Sequence, residues 1–84
     1  MEKVVGKVTH YFPKAGVAVV HIEDVLHTGD QVRISGPHMN FSQRVTSMQI
    51  EHQTIASASK GQDIGMKVQQ PVREGDLVYR ITPE

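Results

Sequence analysis

Gly29-Asp30-Gln31-Val32-Arg33-Ile34-Ser35-Gly36 sets a turn pair at the mouth of an alternating strand. Val32 and Ile34 fall on one face of that strand, and Gln31, Arg33 and Ser35 on the other. The same opening returns at Gly75-Asp76-Leu77-Val78-Tyr79-Arg80-Ile81, and Gly61-Gln62-Asp63-Ile64 is a looser version. Glycine accepts the positive φ of a tight turn, and aspartate bonds its own following backbone, so the pair marks where strand pairing starts. These aspartates therefore read as turn residues rather than catalytic carboxylates.

Outward from that stretch, period-2 alternation with frequent turn residues dominates, and no long helical stripe competes with it. Residues 4–12 are rich in β-branched and aromatic side chains and stop at Pro13, after which Lys14-Ala15-Gly16 reads as a turn. Residues 16–22 follow, apolar on both parities from Val17 to Val20, as in a strand covered on both faces. Residues 41–53 switch parity, with Phe41, Gln43 and Val45 on one and Met48 and Ile50 on the other. That switch predicts a bulge or sharp bend near Thr46-Ser47. Residues 54–60 hold about one helical turn, ended by Gly61. Strands at 64–68 and 77–81 complete the count. Six short strands predict an all-β fold, a small closed six-stranded barrel formed by residues 1–84 as one domain, because closure removes unpaired edges. Its core is expected from Val8, Val19, Val32, Ile34, Val45, Ile50, Ile64, Val68 and Val78.

Eighty-four residues are one small domain's worth. Nine basic and nine acidic residues cancel, so the surplus of a dedicated nucleic-acid binder is absent and only a local patch is open. With no cysteine, disulfides, thiolate metal sites and thiol nucleophiles are excluded. No run approaches the ~20 apolar residues of a membrane span, and Met1-Glu2-Lys3-Val4-Val5-Gly6 has no secretory h-region, which predicts a cytoplasmic protein without membrane contact.

Enzymatic chemistry finds no support in the motifs. Gly6-Lys7-Val8 lacks the upstream glycine and the Ser/Thr of a phosphate-binding loop, so no nucleotide is expected. There is no nucleophile elbow. His10, His21, His27, His38 and His52 are scattered without the spacing of a metal site, which leaves only convergence of His10 or His21 with His52 across strands. No cofactor and no metal are expected, and the chain reads as a non-enzymatic binding module.

Two clusters suit recognition. His10-Tyr11-Phe12-Pro13-Lys14 gathers two of the four aromatics beside a cation, and an exposed Tyr11 next to Lys14 and His10 would stack on an unpaired base or cap a protein pocket. Ser47-Met48-Gln49-Ile50-Glu51-His52-Gln53 would offer Gln49 and Glu51 outward, with His52 beside them. For an RNA-facing module, Tyr11, Lys14, Lys67 and Arg73 are expected to meet at one loop end.

Several segments in register resemble the second, β-barrel domain of translational GTPases of the elongation factor Tu and initiation factor 2 type. They are Gly16-Val17-Ala18-Val19-Val20, Val25 through Gly36, Val45-Thr46-Ser47-Met48-Gln49-Ile50, Ala58 through Val68, and Arg73-Glu74-Gly75-Asp76-Leu77-Val78-Tyr79. The chain is most similar to small stand-alone elongation factor-like proteins, and also resembles the C-terminal domain of U32 peptidases, some of which are associated with RNA modification. The resemblance implies a Greek-key barrel of the reductase/isomerase/elongation-factor common domain type. It also implies an aminoacyl-pocket relationship around Gly61, Asp63 and Gly65. There is no GTPase domain, and His10 to Lys14 departs from the GTPase pattern. The leading expectation is a translation-factor-like module acting on RNA (tRNA or rRNA) or a ribonucleoprotein. The alternative is a protein–protein adaptor or accessory subunit of a separately encoded enzyme, such as a U32-type peptidase or RNA-modifying protein.

Overall fold

The computed structural model describes residues 1–37 and 39–83, and these form an all-β fold. Its ten strands are β1 (Glu2–Phe12), β2 (Val17–Ile22), β3 (Leu26–His27), β4 (Gln31–Ser35), β5 (Asn40–Arg44), β6 (Met48–Ile50), β7 (Gln53–Ile55), β8 (Ser57–Ala58), β9 (Asp63–Lys67) and β10 (Leu77–Ile81). Eight lie in one antiparallel sheet, in the order β5-β4-β10-β1-β2-β9-β6-β7, and β3 pairs with β8 apart from it. The 41–53 stretch divides into β5, a corner at Val45-Thr46-Ser47, β6 and the turn into β7. Thr46 and Ser47 are both exposed between buried Val45 and Met48, and two outward residues in succession exchange the parity. Of the expected bulge or sharp bend there, the structure shows the bend, as a break between strands.

The bulges lie in β1, where pairing to β10 slips between Val4 and Gly6 and pairing to β2 slips between Val8 and His10. Residues 54–60 form no helical turn. β-branched Thr54 and Ile55 pair with β6, and Ala58 is buried where β8 meets Leu26 of β3.

The Gly-Asp signature is a repeated docking device. His27-Thr28-Gly29-Asp30, Ser59-Lys60-Gly61-Gln62 and Arg73-Glu74-Gly75-Asp76 each place glycine at φ +92°, +92° and +98°. In each, the fourth residue's side-chain oxygen accepts from the first residue's N–H, at 2.9, 2.7 and 2.9 Å. Aspartate thus bonds backward by three residues, not forward, and Gln62 takes its place in the middle copy. Each turn then grips one buried residue. Gly29 N–H donates to the Val45 carbonyl and Val45 N–H to Asp30; Gly61 and Gln62 hold Ile22 in the same way, and Gly75 and Asp76 hold Val8, all six bonds at 2.8 Å. The three turns thereby place strand entrances against the core from three directions.

The ladder itself is open, with β5 and β7 as its edges. Yet β5 and β6, near opposite ends of the sheet order, are joined by only three residues, so the sheet must curl on itself. The gap is bridged by a side chain. Gln43 of β5, only 3% exposed, donates through Nε2 to the Lys67 carbonyl at 2.8 Å, and its Oε1 accepts from Gln69 N–H at 2.8 Å. The expected closed barrel is therefore clasped by an amide where backbone pairing would close it.

Seven of the expected core residues (Val8, Val32, Ile34, Val45, Ile64, Val68 and Val78) are buried. Val19 and Ile50 are only partly so. In β2 the burial alternates with Ala18, Val20 and Ile22 inward, which turns Val17 and Val19 to the outer face. An all-apolar strand carries no sign of which parity faces the core.

Two surface ion pairs couple the fold to pH. Arg33 of β4 grips Glu2 of β1 with two bonds, at 2.8 and 2.7 Å, and Lys3 meets Asp24 at 2.7 Å. The Arg33 hydrogen bond holds the Glu2 carboxyl below its ordinary 4.5, while the Lys3 bond, then the Val25 N–H, holds Asp24 below 3.8. Lowered folded-state values mean stability that is present above those ordinary values and lost as pH falls through the folded ones. A Glu2→Gln, Asp24→Asn double variant is expected to be less stable than the parent at neutral pH. The difference should shrink below about pH 4, where the unfolded carboxylates are already protonating. A denaturant series at several pH values checks this; a constant gap would refute it.

Candidate interaction surface

The outer faces of β2, β9 and β6 enclose a groove of about 400 Å³. Val17 and Val19 form its apolar floor with Ile50, and Phe12, 49% exposed, stands at one end. Phe12 is braced by the His10 ring, edge-on with centroids 4.4 Å apart. Gly65 lies in the middle of the floor, paired to Val19 on one side and Gln49 on the other. A Cβ there would come within 3.2 Å of both Val17 Cγ1 and Gln49 Cγ, so glycine leaves backbone at the floor and lets the walls close over it.

The rim is acidic. Asp63 accepts from His21 Nδ1 at 2.8 Å across the β2–β9 pair, and Glu51 and His52 rise from the β6–β7 turn. That turn has only two residues, since Ile50 pairs with Gln53. Glu51 and His52 have φ of 48° and 67°, left-handed positions that two-residue hairpins usually give to Asn-Gly. Holding L side chains there costs about 1–2 kcal/mol each. Backbone strain is therefore concentrated at the groove's rim. Among the described residues no lysine or arginine is in the lining, but the Lys67 ammonium bonds the carbonyl of lining residue Ala15 at 2.8 Å.

The family model for the peptidase family U32 C-terminal domain matches residues 2–78. The chain belongs to that family. Its sequence is similar to a collagenase of Porphyromonas gingivalis, 42% identical over 78 residues, covering 90% of this chain and 22% of the collagenase. It is also similar to an uncharacterized protease of Methanocaldococcus jannaschii, 37% identical over 76 residues, covering 89% of this chain and 19% of that protein. The chain thus spans about a fifth of the length of these curated relatives. The crystal structure of the C-terminal domain of a protein assigned to the U32 peptidases in Geobacillus thermoleovorans superposes with a TM-score of 0.89. Identity is 25%, and the match covers 95% of this chain and 93% of that one. These matches support the U32 half of the sequence resemblance and do not carry the translational-GTPase half.

Within this U32 C-terminal domain, four of the anticipated site residues meet at the groove: Gln49, Glu51, His52 and Asp63. His10 adjoins it through Phe12. Of the expected RNA-facing group, Lys14 and Lys67 share the turn after β1, while Tyr11 and Arg73 lie elsewhere. Tyr11 is partly buried and packs against the core, so Phe12 is the exposed aromatic. The cause is the β1 bulge between Val8 and His10, which leaves Thr9 and His10 both exposed and turns residue 11 inward. Lys14 is exposed in the turn after β1, and the Lys67 ammonium is held by the Ala15 carbonyl of that turn at 2.8 Å. Arg73 belongs to the turn that grips Val8 and lines a different depression, of about 240 Å³, with Pro37, Met39 and Pro71. Among the described residues no group of three or more His, Asp and Glu side chains is placed to hold a metal, and His38 lies outside them. Sequence reading missed Phe12, Val17 and Val19 as surface residues; the apolar run on both parities of β2 was the signal available.

Proposed function

We propose that this U32 C-terminal domain is a non-catalytic docking module that engages a U32-type catalytic domain by protein–protein contact. The observation that carries this reading is the family match together with its extent: the domain corresponds to about a fifth of relatives named as a collagenase and a protease. An apolar groove with an acidic rim is a surface suited to protein rather than to phosphate. The RNA-facing alternative needs converging cations, and here Arg73 sits at a different depression from the turn that Lys14 and Lys67 share. The expected result is co-purification of a U32-type catalytic domain from the same organism with the tagged module, unaffected by nuclease. Salt-sensitive binding to tRNA, with a log–log slope of about two or more, and no binding to the catalytic domain would reverse the assignment.

A further inference from the structure

Resting on that reading, we infer that the groove between β2, β9 and β6 seats an extended segment of the catalytic domain, an aliphatic or aromatic anchor flanked by lysine or arginine. The floor sets the anchor's chemistry. Val17, Val19 and Ile50 present aliphatic surface, and Phe12 projects beyond them with half its area open to contact. An apolar side chain lowered onto the Gly65 backbone replaces water on all of these at once, which is the usual way an anchor residue supplies binding energy.

Charge complementarity sets the flanks. Two carboxylates, Glu51 and Asp63, are among the groove's lining residues, with no lysine or arginine among those described, and the nearby Lys67 ammonium is turned onto the Ala15 carbonyl. Asp63 already faces His21, but Glu51 takes part in none of the ion pairs found among the described residues. A cationic neighbour of the anchor meets both at close range, whereas an acidic segment is repelled from both. The left-handed Glu51-His52 turn strengthens the assignment. A two-residue connection built from Asn-Gly would cost less, yet this one places a carboxylate and an imidazole at the groove's edge.

Two arms test the inference. In the first, the purified U32-type catalytic domain is titrated against the parent module and against Phe12→Ser, Glu51→Lys and Arg44→Glu variants. Phe12 and Glu51 are exposed, so melting curves should show all variants folded. Phe12→Ser and Glu51→Lys should each weaken binding by about tenfold or more, and Arg44→Glu, on β5, should not. Equal binding by all four overturns the groove while leaving the docking function intact. Absence of binding even to the parent overturns the docking function, and the second arm then decides the groove alone. There, a nine-residue peptide with Leu-Phe between lysines is compared with the same peptide carrying glutamates, by amide chemical-shift mapping. Preference for the lysine peptide, centred on Val19, Gln49 and Gly65 and abolished in Glu51→Lys, supports the groove. No preference, or shifts elsewhere, overturns it.

Discussion

Gly36→Ala should destabilise the domain by about 2–6 kcal/mol, the largest effect of any glycine-to-alanine change at its turns. A Cβ at position 36 would lie 2.0 Å from Asp76 Oδ1 and 2.7 Å from its Cγ. Asp76 cannot yield easily, because it is 3% exposed and its Oδ2 accepts the Arg73 N–H at 2.9 Å. Moving it sums an overpacking penalty of about 1–3 kcal/mol with a buried hydrogen bond worth about 1–3 kcal/mol. Against a total stability of about 5–15 kcal/mol this is severe. Gly75→Ala and Gly29→Ala isolate a different mechanism. Nothing lies within 4 Å of a Cβ at either site, so only the positive φ is strained, at about 1–2 kcal/mol. Glu74→Ala, with no such constraint, should fall below both. Urea midpoints check the order Gly36, then Gly75 and Gly29, then Glu74. In an Asp76→Ala background the Gly36→Ala penalty should shrink, because the obstructing carboxylate is gone. Equal penalties in the two backgrounds would refute the steric account.

What could be read from the sequence followed the local rules. Turn glycines, strand positions around Val32/Ile34 and Val78, and most of the core are consequences of backbone conformation and alternation, which adjacent residues encode. The failures share one physical cause: they depend on pairing between distant segments. Tyr11 and Phe12 exchanged places because a bulge against β2 slips the register, and no feature of His10-Tyr11-Phe12 announces it. Val17 and Val19 lie outward because Ala18 and Val20 won the inner face, a choice made by neighbours β1 and β9. Gln43 read as an ordinary polar residue on the parity of Phe41 and Val45, yet it clasps the open edge of the sheet. The Glu51-His52 turn carries neither glycine nor asparagine, so turn chemistry had nothing to detect. The polar rim of the groove was legible for a simpler reason. Gln49, Glu51 and His52 fall within four residues of one another, and Asp63 was marked by its strand entrance.

Ile34→Ala and Val19→Ala should separate folding from docking by opposite responses. Ile34 is fully buried, so removing its side chain leaves a cavity and should cost about 2–5 kcal/mol. Val19, partly buried at the groove floor, loses less apolar contact, and its truncation should cost about 1 kcal/mol. Binding should order the two variants the other way. Val19→Ala removes floor surface next to Gly65 and should weaken capture of the catalytic domain several-fold, while the folded fraction of Ile34→Ala keeps the parent's affinity. Both readouts come from one pair of proteins, by denaturant melts and by titration below the melting range. If Val19→Ala binds normally, β2 does not present the docking face, and the outward turn of its second apolar parity is only a by-product of how β1 and β9 pair with it. If instead Val19→Ala unfolds as readily as Ile34→Ala, the outer face of β2 is covered within the domain itself, and the strand is buried on both sides as its sequence first implied.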